Sequence, residues 1–331
     1  MNNYSPPFTI TNSIIEKVSS ISEKIGRISI RNPLDSRPHL RRSNRIKSIH
    51  ASLKIEANSL SVSDVRDVID GSTVYGDRSE IAEVKNAYSA YELISDVNPY
   101  SIKDLKRLHK IMTSDTIAES GRFRKGEEGV FCGDKCIFVT PPPNLVPELM
   151  SNLFEWMKAS KDTVHPLILS AVFHYEFVFI HPFSDGNGRM ARLWHTILLY
   201  NWRSIFEYIP LESQIEKFQE EYYRSIDECN KAGNSDAFIE FMLDRIDAVL
   251  DEVIIQSQNT GIEISEYLHR MLDVMEPGIP YTAKSIMTAL GLKSKETFRK
   301  NYMNPAIKHG YVVMEKPDKP TSKTQRYIRR E

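Results

Sequence analysis

From Leu167 to Ile180 the chain is apolar around nearly the whole helical circumference, interrupted by Ser170, His174 and Glu176. A helix that is apolar all round has no face to offer water, so something must cover it on every side. These 14 residues would rise about 21 Å as a helix. That is short of the ~30 Å a bilayer core requires. The run therefore reads as a buried helix, and the rest of the chain must supply its cover.

Much of that cover is legible as amphipathic helix. Ile10, Ile14, Val18, Ile21 and Ile25 recur at steps of three or four over residues 10–26. A second helix is expected from about Leu40 to Ala57, with Ile46, Ile49, Leu53 and Leu60 as its stripe. Shorter helices follow at Asp64–Ile69, Glu80–Ser95 and Ser101–Thr113, the last opened by Ser101 with Asp104 three residues on, a capping spacing. Residues 121–140 change texture. The run Gly129–Val139 alternates Val, Phe and Ile around Gly133-Asp134 and reads as a β-hairpin, ended by Pro141–Pro143. Helices resume at Pro147–Ala159, Pro166–Ile180, Gly188–Tyr200, Ser213–Ala232 and Ser235–Gln258. After Glu263 come three helices, Ser265–Met275, Thr282–Leu290 and Ser294–His309, and two short strands, Tyr311–Glu315 and Arg326–Ile328. That outline is a winged helix-turn-helix. The expected fold is mostly α, with a small hairpin and a C-terminal winged-helix domain. The expected divisions are an N-terminal helical region 1–100, a core 101–260 and a winged helix-turn-helix-like domain 261–331.

Charge adds one asymmetry. The net charge is -1, yet residues 281–331 hold 12 Lys or Arg against 4 Asp or Glu, so the tail is +8 and the remainder -9. A basic tail on an acidic body points to an anionic partner for the tail. Three cysteines, Cys132, Cys136 and Cys229, are too few for a disulfide framework and fit a reducing compartment, hence a cytoplasmic location. The first residues, Met1-Asn2-Asn3-Tyr4, lack the charged and apolar regions of a secretory signal, and no membrane association is expected. A structural zinc at Cys132 and Cys136 is not expected, because no second ligand pair exists.

The chemistry is concentrated in His181-Pro-Phe-Ser-Asp185-Gly-Asn-Gly-Arg189-Met-Ala-Arg192, between the buried helix and the next one. Gly186 and Gly188 flank Asn187 just before a helix start. Glycines permit a backbone path on which consecutive N–H groups converge on an anion, and the helix N-terminus adds its positive dipole end. Arg189 and Arg192 share a helix face and lean back toward the loop. Their planar donor forks suit phosphate oxygens. Asp185 is a hard oxygen ligand for one Mg2+ vertex. His181 titrates where a general base must. The residues alone therefore point to a polyphosphate site with a base, or to a Gly/Asn turn with solvated arginines.

His181–Arg192 matches every fixed position of the Fic signature, His-Pro-Phe-x-[Asp/Glu]-Gly-Asn-Gly-Arg-x-x-Arg. Gly121-Arg-Phe-Arg124, the hairpin ending in Pro141, and the Tyr222-Tyr223 region extend the resemblance over roughly residues 40–260. The chain thus resembles a Fic family protein adenylyltransferase, and the resemblance implies a Fic-type helical bundle. It implies that His181 is the general base toward a Ser, Thr or Tyr hydroxyl of a target protein. Asp185 would hold Mg2+, and Gly186, Asn187 and Gly188 would form the anion hole. Arg189 and Arg192 would grip the β- and γ-phosphates of ATP, and Tyr222 would line the adenine pocket. The hairpin residues Val130, Phe131, Ile137, Phe138 and Val139 would be a flap that pairs with an extended target segment. Self-adenylylation and a homodimer are compatible with the family. So are other nucleotides and the reverse reaction, removal of AMP.

Ser52-Leu-Lys-Ile-Glu56-Ala-Asn58 resembles the family's inhibitory motif, [Ser/Thr]-x-x-x-Glu-[Gly/Asn], with Ala57 departing from it. The resemblance implies that Ser52 and Glu56 lie on an inhibitory helix and that Glu56 takes Arg192 away from the γ-phosphate. His174 is expected as a core histidine, and His109, His165 and His195 show no partner pattern. Two functional classes remain: an adenylyltransferase restrained by Glu56, and a DNA-binding regulator acting through its C-terminal domain. For the second, Lys293, Lys295, Arg299, Lys300 and Lys308 fall on or near the recognition helix, which could equally dock a protein.

Overall fold

The computed structural model describes residues 4–31, 38–127, 129–132, 135–259, 266–308, 310–320, 322 and 324–330. They fold as two compact units, one within 1–31 and 43–253, the other within 32–42 and 254–331.

The first unit holds α1 (Asn12–Arg31), α2 (Pro38–Ile55) from residue 43 onward, α3 (Val62–Ile69), α4 (Arg78–Tyr91) and α5 (Ile102–Met112), which precede a hairpin of β1 (Gly129–Cys132) and β2 (Lys135–Val139). Then come α6 (Val146–Ser160), α7 (Pro166–Ile180), α8 (Asn187–Trp202), α9 (Leu211–Lys217), α10 (Gln219–Ala232) and α11 (Asp236–Asn259), the last belonging to this unit as far as Val253. The expected stripes are buried: Ile14, Ile21 and Ile25 on α1, and Ile46, Ile49 and Leu53 on α2. Ser101 caps α5, its hydroxyl accepting from the Asp104 N–H at 3.2 Å.

Helix α7 is the axis of this unit, and every residue from Leu167 to Phe177 is buried. Pro166 has no N–H, at a first-turn position where an N–H would lack a helical acceptor, and His165 caps the helix, Nδ1 accepting from the Leu167 N–H at 3.2 Å. Phe154 of α6, Phe173 of α7 and Trp194 of α8 interlock, with ring centroids 5.7–6.4 Å apart. Trp194 is fully buried and donates from Nε1 to the Pro99 carbonyl at 3.1 Å. Truncating such a ring costs about 3–5 kcal/mol. This packing fixes α7 against α8, and the loop joining them carries the motif. His174 is a core residue, its Nε2 3.0 Å from the Tyr222 hydroxyl.

One helix expected at Ser213–Ala232 is two, broken at Phe218, whose ring is covered by the Arg245 guanidinium at 4.0 Å. The strands pair antiparallel, Gly129 with Val139 and Cys132 with Lys135, and a bulge inserts Ile137. The turn expected at Gly133-Asp134 lies outside the described residues.

The second unit contains α12 (Glu266–Asp273), β3 (Pro280–Thr282), α13 (Ala283–Ala289), α14 (Lys295–Thr297), a π-helical turn over Phe298–Met303, α15 (Asn304–Lys308), β4 (Val312–Met314) and β5 (Arg326–Arg329). The sheet order is β3-β5-β4, all antiparallel. Strand β3 was not expected from the sequence. Leu268, Met271, Met275, Ile286, Phe298 and Tyr302 form a separate core. The helix expected as one piece at 294–309 is distorted in its middle. Pro305 offers no N–H and excludes the Asn301 carbonyl, and the Asn304 N–H reaches back five residues to Arg299.

Candidate active site

The site forms where α7 ends and α8 begins. The α7 helix is capped by His181 itself, in the left-handed conformation at φ 51°. A side-chain-bearing residue there costs about 1 kcal/mol or more, so surroundings must hold it. Arg124 does so. Its Nε donates to the His181 carbonyl at 2.7 Å, and its terminal nitrogens donate to Gly126 at 2.9 Å, Pro141 at 2.5 Å and Ile180 at 3.4 Å. Its backbone N–H donates to Pro182 at 2.9 Å. Orphan carbonyls at the negative end of α7 thus receive a buried cation.

The loop then folds on itself. Asn187 closes it from inside, its amide accepting from the Phe183 N–H at 2.9 Å and donating to the Phe183 carbonyl at 2.7 Å. Gly186 sits at φ 77°, and a Cβ there would lie 3.0 Å from Thr113 Cγ2. His109 of α5 supports the other side. The Gly121 N–H donates to its Nδ1 at 2.9 Å, so Nε2 carries the proton and donates to the Asp185 carbonyl at 3.0 Å. The imidazole stacks on Phe183 with centroids 3.6 Å apart. Burial pushes its pKa down to about 4, keeping it neutral.

The two arginines are both buried and both paired. Arg192 donates from its terminal nitrogen to Glu56 Oε1 at 2.7 Å and to the Ser52 carbonyl at 2.9 Å, and from Nε to the Ser52 hydroxyl at 3.1 Å. Ser52 and Glu56 come together on Arg192, as the motif resemblance implies. The Ser52 carbonyl is one of the last four of α2 and has no helical partner, so the cation meets the negative end of that helix. Burial opposes the charge on Arg192, but Glu56 and Tyr222 more than offset it and raise its pKa. The Glu56 carboxylate also lies against Gly188, where a Cβ would come 2.2 Å from Oε1. It stands at the N-terminus of α8, where an anion would bind.

Arg189 donates to Glu83 Oε1 at 2.9 Å and to Asp185 Oδ2 at 3.0 Å. Asp185 Oδ1 accepts from the Gly186 N–H at 2.6 Å, and its side chain remains 52% exposed. Among the described residues no group of three His, Cys, Asp or Glu assembles for a metal. A single half-exposed carboxylate fits Mg2+ carried in with phosphates, which would supply the remaining oxygens. His181 has its Nδ1 3.4 Å from the Val178 carbonyl, which leaves Nε2 as the available base. Burial lowers its pKa, so the imidazole is neutral at pH 7.

Tyr222 is 2% exposed, its hydroxyl on His174 and its ring among Tyr223, Phe238 and Phe241. The exposed member of the pair is Tyr223, at 42%. Arg124, His109 and Glu83 went unassigned from the sequence. Each acts across 50 or more residues, and only Arg124, in the Gly121–Arg124 segment, carried a local signal.

Residues 99–199 match the Fic/DOC family, and residues 266–329 match the Fic-like C-terminal domain of filamentation-induced-by-cAMP proteins. The crystal structure of a Fic family protein from Desulfovibrio desulfuricans G20 is 39% identical, covers 98% of each chain and superposes with a TM-score of 0.76. The chain belongs to the Fic family. It is also similar to the protein adenylyltransferase Fic of Culex quinquefasciatus, 29% identical over 216 residues, which are 62% of this chain and 41% of that one. The protein adenylyltransferase fic-1 of Caenorhabditis elegans is 27% identical over 258 residues, 72% of this chain and 48% of that one. The chain thus spans less than half the length of these curated relatives. Among the described residues of this Fic protein no helix is long and apolar enough to cross a membrane.

Proposed function

We propose that the chain is a protein adenylyltransferase that moves AMP from ATP to a Ser, Thr or Tyr hydroxyl, and that Glu56 restrains it. The hydroxyl oxygen forms a bond to the α-phosphorus as the bond to the β-phosphate oxygen breaks, and pyrophosphate leaves. The hydroxyl proton goes to His181 Nε2, which the lowered pKa keeps unprotonated at neutral pH. Arg189 and Arg192 face the phosphates. Mg2+ held at Asp185 would neutralise charge between them. The remaining rate enhancement is positioning and charge stabilisation. The β1–β2 hairpin, with Val130, Phe131, Ile137, Phe138 and Val139, offers strand edges to an extended target segment.

The observation that carries this reading is the Glu56 carboxylate, 2.7 Å from Arg192 and pressed on Gly188. It satisfies the arginine and fills the anion position, so a γ-phosphate must displace it. The hydrogen bond to a charged group contributes about 1.5–3 kcal/mol, enough for about ten- to a hundredfold restraint. Purified wild type, Glu56→Gly and His181→Ala incubated with Mg2+ and α-labelled ATP provide the test. Strong self-labelling by Glu56→Gly, weak labelling by wild type and none by His181→Ala is expected. No label on any of the three, or on lysate proteins, overturns the transferase reading and favours the reverse reaction.

The second unit supports a winged-helix reading. Its order is helix, strand, helix, helix, strand, strand, and Lys293, Lys295, Arg299, Lys300 and Lys308 are exposed. Duplex DNA is the partner this charge suits, by phosphate contact from the helix at 295–308. Binding should then fall steeply with salt; salt-independent capture of a protein instead would make the unit a docking module. The three cysteines accord with a reducing, cytoplasmic setting.

A further inference from the structure

Glu83 lies on α4, outside the motif and outside the Ser52–Glu56 segment, yet its two carboxylate oxygens serve both. Oε1 accepts from Arg189 at 2.9 Å. Oε2 accepts from the Asn58 amide at 2.9 Å. Asn58 is buried, two residues beyond Glu56. Its amide also donates to the Glu80 carbonyl at 3.3 Å, and its Oδ1 accepts from the Leu60 N–H at 3.2 Å. The Asn58 N–H returns to the Leu53 carbonyl at 3.2 Å and the Ala57 N–H to Lys54 at 3.0 Å, so Asn58 is the second residue of the turn that ends α2. Glu56 sits at the start of that same turn, between the last helical residue and Ala57. Arg189 meanwhile is clamped between Glu83 and Asp185. Were Asp185 to ligate a metal–nucleotide complex, Glu83 would be the carboxylate left to Arg189.

We infer that Glu83 is a positioning residue with two tasks: it holds Arg189 in register for the phosphates, and through Asn58 it keeps the Glu56 turn seated on the site. This rests on the transferase reading above. The two tasks predict opposite signs. Losing the Arg189 contact weakens nucleotide binding, whereas losing the Asn58 contact frees the restraint.

Separating them needs two backgrounds. In Glu56→Gly, where the restraint is already gone, adding Glu83→Ala should weaken ATP binding by calorimetry about tenfold. KM for ATP should rise by the same factor and kcat should change little. Adding Glu83→Gln, which can still accept from Arg189, should recover most of that loss. Adding Asn58→Ala there should change neither quantity. In the otherwise wild-type chain, Asn58→Ala alone should raise self-labelling several-fold. If Glu56→Gly Glu83→Ala binds ATP within twofold of Glu56→Gly, the positioning role is overturned. If Asn58→Ala labels no better than wild type, the coupling is overturned. If Glu56→Gly itself binds ATP but transfers nothing, the transferase reading fails, and the calorimetric comparison still decides the role of Glu83 in binding.

Discussion

Arg189 and Arg192 stand one turn apart on the same helix, are equally buried, and each carries a carboxylate brought from a distant helix. The carboxylates differ in where they lie. Glu56 presses on Gly188, at the positive end of α8, in the space an anion needs. Glu83 approaches Arg189 from α4, with Asp185 on the other terminal nitrogen. On the proposed function, the Glu56 pair would compete with a bound phosphate, whereas the Glu83 pair would leave room for one. An acid beside a phosphate-binding arginine is therefore not informative until its position relative to the anion site is known. A buried ion pair adds little net stability either way, so under the proposed function the difference between the two pairs would lie in their effect on a bound nucleotide.

The contrast can be attacked at several points. Gly188→Ala has the largest expected effect. Its methyl would collide with the Glu56 carboxylate and crowd Arg192 at 3.0 Å, so the pair breaks without room for a phosphate. ATP affinity should fall by about a hundredfold or more, read by calorimetry, whereas Glu56→Gly empties the same space and should strengthen it. Arg124→Ala comes next. It leaves the carbonyls of Gly126, Pro141, Ile180 and His181 without their cation. Stability should drop by about 3 kcal/mol, and His181 should lose its alignment, so denaturant unfolding and transfer both decline.

Acid should loosen the Arg189 side through His109. Its folded pKa is depressed to about 4 from 6.5. Between those values the unfolded chain binds the proton and the folded chain does not. The stability is full above pH 6.5 and is lost as pH falls toward 4, by roughly 3 kcal/mol from this group. His109→Gln should flatten that slope in urea titrations across the same window. The smallest effect belongs to the Arg192 side. Ala57 closes α2 at φ 68°, a conformation that costs alanine about 1 kcal/mol and glycine almost nothing. Ala57→Gly should stabilise by up to about 1 kcal/mol in thermal unfolding. That left-handed position is a physical reason for Gly or Asn at this place in the inhibitory motif.

What was legible from the sequence was local. The apolar run predicted the axial helix α7, the stripes on α1 and α2 predicted their buried faces, and the twelve motif residues stand within one loop and the first two turns of α8. The four-residue spacing put Ser52 and Glu56 on one helix face, but only the resemblance to the inhibitory motif named Arg192 as the partner that both contact. What escaped was long-range. His109 and Glu83 look like any histidine or glutamate on an amphipathic helix until α5 and α4 pack beside the motif. The break at Phe218 has no Gly or Pro to announce it and follows from packing near Arg245. Strand β3 is three residues long and carries too little pattern to be read.

Under the proposed restraint Glu56 holds the place of the γ-phosphate on Arg192, and a comparison of ATP with ADP separates the two occupants. Calorimetric affinities for both nucleotides, with Mg2+, should be measured in wild type and in Glu56→Gly. If the claim holds, wild type binds the two alike, because Arg192 is already engaged, and Glu56→Gly prefers ATP by about tenfold or more. An ATP preference of the same size in both proteins would contradict it, since the γ-phosphate would then reach its partner with Glu56 in place.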